Sequence, residues 1–239
     1  MLTKDDGRIL LSIHSSLPSD SQFTTHGFPT HDSRLTIHDS RFTIHEDMFQ
    51  AAITKEEIRL LPKKSFEGRV ILIDNFQSFE KYIPVIKSEK LWGFDTETRP
   101  AFKKGTFNRT ALVQFANNAY AFLFRLNRIG LPVELADVIE DPDIIKIGVA
   151  LHEDLKDLKM YRKMETKGFI DLQKYSGQFG IESKGLDKLT AIVLKFRISK
   201  SQQVTDWEKR ILTPQQLIYA ATDAWVCYGI YKELQKVAM

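Results

Sequence analysis

The chain has 239 residues, 43% of them hydrophobic and 27% charged, with a net charge of +3: room for one substantial domain and an appendage. No run of eighteen apolar residues offers a membrane span, and the first residues lack the basic, apolar and small-residue zones of a secretory signal. A lone cysteine, Cys227, excludes internal disulfides and multi-cysteine zinc sites; set among Trp225, Val226 and Tyr228 it reads as core filler, and the whole fits a reducing cytoplasm.

Charge is unevenly divided. Residues 1–47 carry four basic and seven acidic side chains, which leaves 30 basic against 24 acidic in residues 48–239. The first segment also holds five of the six histidines and a seven-residue unit that repeats from His31 and again from His38. A histidine array suits transition metals, but two polar copies cannot stack into a repeat fold. Residues 1–47 are therefore expected to be a disordered, low-complexity extension, or upstream repeat DNA translated from a mis-called start at a chain whose ordinary text opens with Met48.

From there the pattern is globular. Thr54-Lys-Glu-Glu57 predicts a capped helix start. Arg69–Asp74 reads as a strand and Asn75–Lys87 as an amphipathic helix. Leu91-Trp-Gly-Phe-Asp-Thr-Glu97 reads as a buried strand ending in two carboxylates. Residues 99–110 form a basic loop punctuated by glycine and proline, and two apolar runs joined at Asn117-Asn118 predict a hairpin. A helix over 131–140, a short strand over 144–148 passing straight into a helix with Leu151, Leu155 and Leu158 inward, and a mainly helical remainder complete the reading. Strands followed by helices, with an early hairpin, describe an α/β domain on a mixed sheet, spanning 48–239.

Four acids and a tyrosine carry the chemistry. Asp95 and Glu97 alternate with Thr96, so both side chains leave one face of the strand, about 7 Å apart along the chain. Such a pair fits a solvated strand end, but in a buried strand it calls for a hard divalent cation. Asp154, in the first turn of its helix, suits either the helix dipole or the edge of a site. Asp223 is the one charge in the apolar run Leu217–Tyr231, with no lysine or arginine within a turn, and Tyr219 shares its helix face.

Phe94-Asp95-Thr96-Glu97, Gly148-Val-Ala-Leu-His-Glu-Asp154 and Tyr219-Ala-Ala-Thr-Asp223 resemble the three motifs of the DEDD 3′–5′ exonucleases. Tyrosine four residues before the last aspartate marks the DEDDy branch; the sister branch has histidine five residues before it, where this chain has Ile218. The flanking text, Arg109-Thr-Ala-Leu-Val-Gln114, Gly185-Leu-Asp-Lys-Leu189 and Trp207, is similar to the Werner syndrome helicase exonuclease domain and to the catalytic domain of ribonuclease D. The resemblance covers roughly 70–236, without the helicase of the one or the second helical domain of the other.

It implies a ribonuclease H-like mixed sheet flanked by helices, and hydrolysis of phosphodiester bonds at single-stranded or recessed 3′ ends of DNA or RNA, releasing nucleoside 5′-monophosphates. It also implies two divalent ions, Mg²⁺ or Mn²⁺, about 4 Å apart. Asp95 would bridge them, Glu97 and Asp223 would complete one site, Asp154 would hold the other, and Tyr219 would orient the attacking water. Lys103, Lys104 and Arg109 are candidate phosphate contacts, and Phe102 and Phe107 candidate stacking platforms. His152 fits a helix-start contact or an approach to the metals. Two other readings stay open: a nucleic-acid-binding module of the same fold with weak catalysis, and a small-nucleotide phosphodiesterase.

Overall fold

The computed structural model describes residues 49–101 and 107–238; the histidine-rich segment and Phe102, Lys103 and Lys104 lie outside the described residues. Helix α1 (Lys55–Leu60) opens on the predicted capping box: the Thr54 hydroxyl accepts from the Glu57 amide while the Glu57 carboxylate accepts from the Thr54 amide. Strand β1 (Arg69–Ile73) follows, then α2 (Phe76–Ser88), whose N-cap Asn75 accepts from the Ser78 amide at 2.9 Å. Strand β2 (Leu91–Thr98) runs through both acids instead of stopping at them, and its pairing slips between Glu97 and Thr98.

The hairpin is β3 (Thr110–Ala116) and β4 (Tyr120–Arg125), turned by Asn117, whose side chain accepts from the Ala119 and Tyr120 amides. A single turn α3 (Leu126–Ile129), helix α4 (Val133–Glu140) and strand β5 (Ile145–Gly148) come next. Helix α5 (His152–Leu158) does not continue directly from β5; a turn intervenes with Ala150 at φ 57°. The Asp171 carboxylate accepts from the Ala150 and Leu151 amides there, which offsets the strain of that backbone.

The remainder is less helical than its sequence suggests. It contains a three-residue strand, β6 (Phe169–Asp171), too short to show alternation. After it come α6 (Leu172–Tyr175), a 3₁₀ turn, α7 (Leu186–Leu189), a π-helical turn over Thr190–Leu194 and an irregular stretch. The long helix α8 (Pro214–Ala238) ends the domain.

Sheet order is β1-β4-β3-β2-β5-β6, with β3 antiparallel to both neighbours and the other pairs parallel. Alternation along β2 divides the molecule. Trp92 and Phe94 pack with Phe79, Ile83 and Ile86 of α2 and with α4 on one face. Gly93 turns to α8 on the other, where Cys227, Ile230 and Leu234 are buried, as the core role of Cys227 requires. Residues 62–64 bracket Arg197 in a single bridge, with the Lys64 amide on the Arg197 carbonyl at 3.0 Å and the Arg197 amide on that of Pro62 at 2.9 Å. Among the described residues no helix is long and apolar enough to cross a membrane.

Candidate active site

The site exists because β2 and α8 touch backbone to backbone. A Cβ at Gly93 would stand 1.9 Å from the Ala224 carbonyl oxygen, so only glycine lets the helix lie this close. Ala224 follows Asp223, whose carboxyl is thereby brought against Asp95 and Glu97, two and four residues along the strand on the same face. One oxygen from each of the three lies within 4.8 Å of the others. They line a cavity of about 310 Å³ together with Tyr219, Asp187 and Lys200.

Three carboxylates in a buried recess resist ionising together. Burial first, then the charges of Asp223 and Asp154, holds the Asp95 carboxyl well above the usual range. Burial and then Asp95 push Glu97 up to about 10. Asp223 rises to about 7 through burial, offset by the Tyr219 hydroxyl and by the ammonium of Lys200. Its Oδ1 is buried with no hydrogen-bond partner among the described residues. Clustered hard oxygens, raised pKa values and an orphaned carboxylate atom fit a divalent cation such as Mg²⁺ or Mn²⁺, which would offset two of the three negative charges.

Tyr219 serves two environments. Its ring packs in the core against Trp207 with centroids 6.1 Å apart, and its hydroxyl end lines the acid cavity one turn before Asp223. Asp154 is set apart from the other acids. The Thr96 hydroxyl donates to its Oδ1 at 2.6 Å, and burial, partly offset by that bond, lifts its pKa to about 6. It stands near enough to raise Asp95 and Glu97 but outside the group of three.

Residues 70–238 match the family described as 3′-5′ exonuclease. The chain belongs to that family. It is 29% identical over 193 residues to a "3′-5′ exonuclease" of Arabidopsis thaliana, covering 74% of this chain and 67% of that one. It is 28% identical over 148 residues to the mouse "Bifunctional 3′-5′ exonuclease/ATP-dependent helicase WRN", covering 59% of this chain but 11% of that one. The structure is similar to the Nibbler EXO domain of Aedes aegypti, with a TM-score of 0.66, 23% identity and coverage of 72% of this chain and 91% of that one. That last likeness is one of fold, and it agrees with the ribonuclease H-like sheet expected.

In this exonuclease-family chain the expected nucleic-acid contacts fare unevenly. The Arg109 guanidinium stacks over the Tyr161 ring at 5.6 Å and does not line the acid cavity. Phe107 is exposed, and the His152 side chain is 89% exposed beside Glu153, away from that cavity. Lys200, which sequence reasoning passed over, pairs with Asp187 at 2.7 Å on the cavity wall. It sits in an aperiodic stretch, so no pattern could have brought it to Asp223. Thr96 was hidden by its place between the two acids. Gln114 lies directly across from Asp95 on β3, fully buried, with neither amide atom partnered among the described residues. Arg125, also buried, donates to the carbonyls of Trp207, Lys209 and Arg210 and so holds the loop that carries Trp207 onto Tyr219.

Proposed function

We propose that the protein is a metal-dependent 3′-5′ exonuclease that removes nucleoside 5′-monophosphates from the 3′ end of a nucleic-acid strand. The observation that carries this reading is the convergence of Asp95, Glu97 and Asp223 within 4.8 Å, with Tyr219 on the same wall. The two divalent ions of the family, when bound, would neutralise charge on the attacking and leaving oxygens and activate water. Asp95, Glu97 and Asp223 would hold them from the floor, and Asp154 would serve from the side, kept in place by Thr96. The Tyr219 hydroxyl orients the attacking water by hydrogen bonding. Without metal, burial and then the Asp223 charge hold its pKa above the ordinary phenol value, so the hydroxyl keeps its proton as a donor. Trp207 and Arg125 fix the ring that carries this hydroxyl.

The experiment uses 5′-labelled single-stranded DNA and RNA and a dinucleotide, with Mg²⁺, Mn²⁺ or EDTA. A ladder shortening from the 3′ end, metal-dependent and lost in Asp95→Asn, is expected, with nucleoside 5′-monophosphate as product. Binding without cleavage would favour the binding module, and cleavage of the dinucleotide alone the phosphodiesterase. No metal-dependent ladder on either polymer refutes the proposal.

A further inference from the structure

The acid cavity is the first of three that adjoin one another. Ser199 and Tyr219 line both it and a second cavity of about 320 Å³; Lys64 and Ser65 line both the second and a third of about 390 Å³. Each falls near the small end of the range for small-ligand sites, roughly 300–1,000 Å³.

Their chemistry changes along the series. The first is walled by carboxylates. The second has none: Lys63 and Lys64 supply charge, Ser65, Ser199 and Ser201 supply hydroxyl donors, and Ile218, 36% exposed on α8, supplies an apolar wall. Neither Lys63 nor Lys64 forms an ion pair among the described residues; the Lys64 ammonium sits 5.3 Å over the Phe196 ring. The third cavity ends at Trp225, whose ring stacks on Phe196 at 5.6 Å and whose Nε1 donates to Asn118, with Glu67 at its rim. The basic wall is held in place by backbone: Arg197 bridges to Lys63 through bonds with Pro62 and Lys64, and the Arg197 Nε donates to the Leu61 carbonyl at 3.1 Å.

We propose that these cavities form a track for the single strand upstream of its 3′ end, with Lys63 and Lys64 carrying its phosphates and Ile218 and Trp225 flanking its bases. The proposal rests on the exonuclease reading. An acid cavity repels a phosphate chain, so the strand must be gripped where positive charge, hydroxyl donors and apolar surface coincide. The second cavity has all three and borders the first through Tyr219. Aromatic and apolar walls accept any base, which predicts little sequence preference.

The test is binding by fluorescence anisotropy, using the full chain in Ca²⁺ with labelled oligothymidylates: a dinucleotide, a tetranucleotide and an octanucleotide. Wild-type affinity should rise from the dinucleotide to the tetranucleotide. In Lys63→Gln/Lys64→Gln that rise should shrink roughly tenfold. The slope of log affinity against log salt should fall by about 1.4, since each single-strand phosphate contact contributes about 0.7. Lys81→Gln/Lys87→Gln, on α2 across the sheet, should bind as wild type. If the double variant melts early, Lys63→Gln alone should lower the slope by about 0.7. An unchanged slope in a folded variant overturns the track, as does wild-type affinity independent of strand length. If the wild type cleaves nothing and the variant still loses the slope, the exonuclease reading falls and the track stands. If the wild type cleaves and the slope is unchanged, the track falls alone.

Discussion

Replacing Gly93 by alanine tests whether the close approach of β2 and α8 builds the site. The added Cβ would meet the Ala224 carbonyl oxygen at 1.9 Å and the Tyr228 amide nitrogen at 2.8 Å, both backbone atoms that cannot rotate away. Moving the carbonyl out to the 3.0 Å that real contacts respect takes 1.1 Å, and relaxed contact at 3.4 Å takes 1.5 Å. Asp223 precedes Ala224 on the same rigid helix and must move with it. Divalent sites tolerate about 0.2 Å in their ligand distances, so the displacement is several times too large. Overpacking of this kind costs about 3 kcal/mol, which for a domain of this size lowers the melting temperature by about 6–12 °C. The assay is thermal melting with and without Mn²⁺, with Gly177→Ala as control because nothing lies within 4 Å of a Cβ there. The control should melt within a degree or two of wild type. Gly93→Ala should melt early and lose the stabilisation that Mn²⁺ gives. A Gly93→Ala protein with wild-type melting and metal affinity would refute the reasoning.

In Tyr219→Phe, turnover should fall by about one to three powers of ten while melting changes by only about 1 kcal/mol; wild-type turnover would remove the water-orienting role. Thr96→Val deletes the donor that favours ionised Asp154, so it should cost about 1 kcal/mol at pH 8, above the Asp154 pKa of about 6, and less at pH 5. An equal loss at both pH values would mean that the valine only disturbs packing. In EDTA, the carboxyls of Asp223 and Glu97 hold protons in the folded chain, up to about pH 7 and about 10, that the unfolded chain releases near pH 4. From these two groups, folding stability should therefore fall as pH rises above about 4, most steeply up to 7 where both contribute and more gently on to 10 through Glu97 alone, and excess Mg²⁺ should flatten that fall. A metal-free melting temperature that rises between pH 5 and 9 would contradict it.

What the sequence by itself determined were the features with a local cause. The Thr54–Glu57 cap, the Asn117 turn, the alternation that puts Asp95 and Glu97 on one face and the four-residue step from Tyr219 to Asp223 each depend on neighbours within a turn or a strand. The three motifs carried the family as well, through their order along the chain. The tertiary structure alone decided the rest. Strand β6 forms only because β5 offers it a ladder, at a length too short to leave a period. Asp154 is tied to Thr96 across 58 residues of chain, and Lys200 reaches the acids from a stretch without pattern. Gly93 passes in the sequence as one residue of a buried strand and becomes, against α8, the residue that lets three carboxylates meet. Propensity and periodicity are encoded in adjacent residues; distances between remote side chains follow from how closely the elements pack, and no local pattern records that.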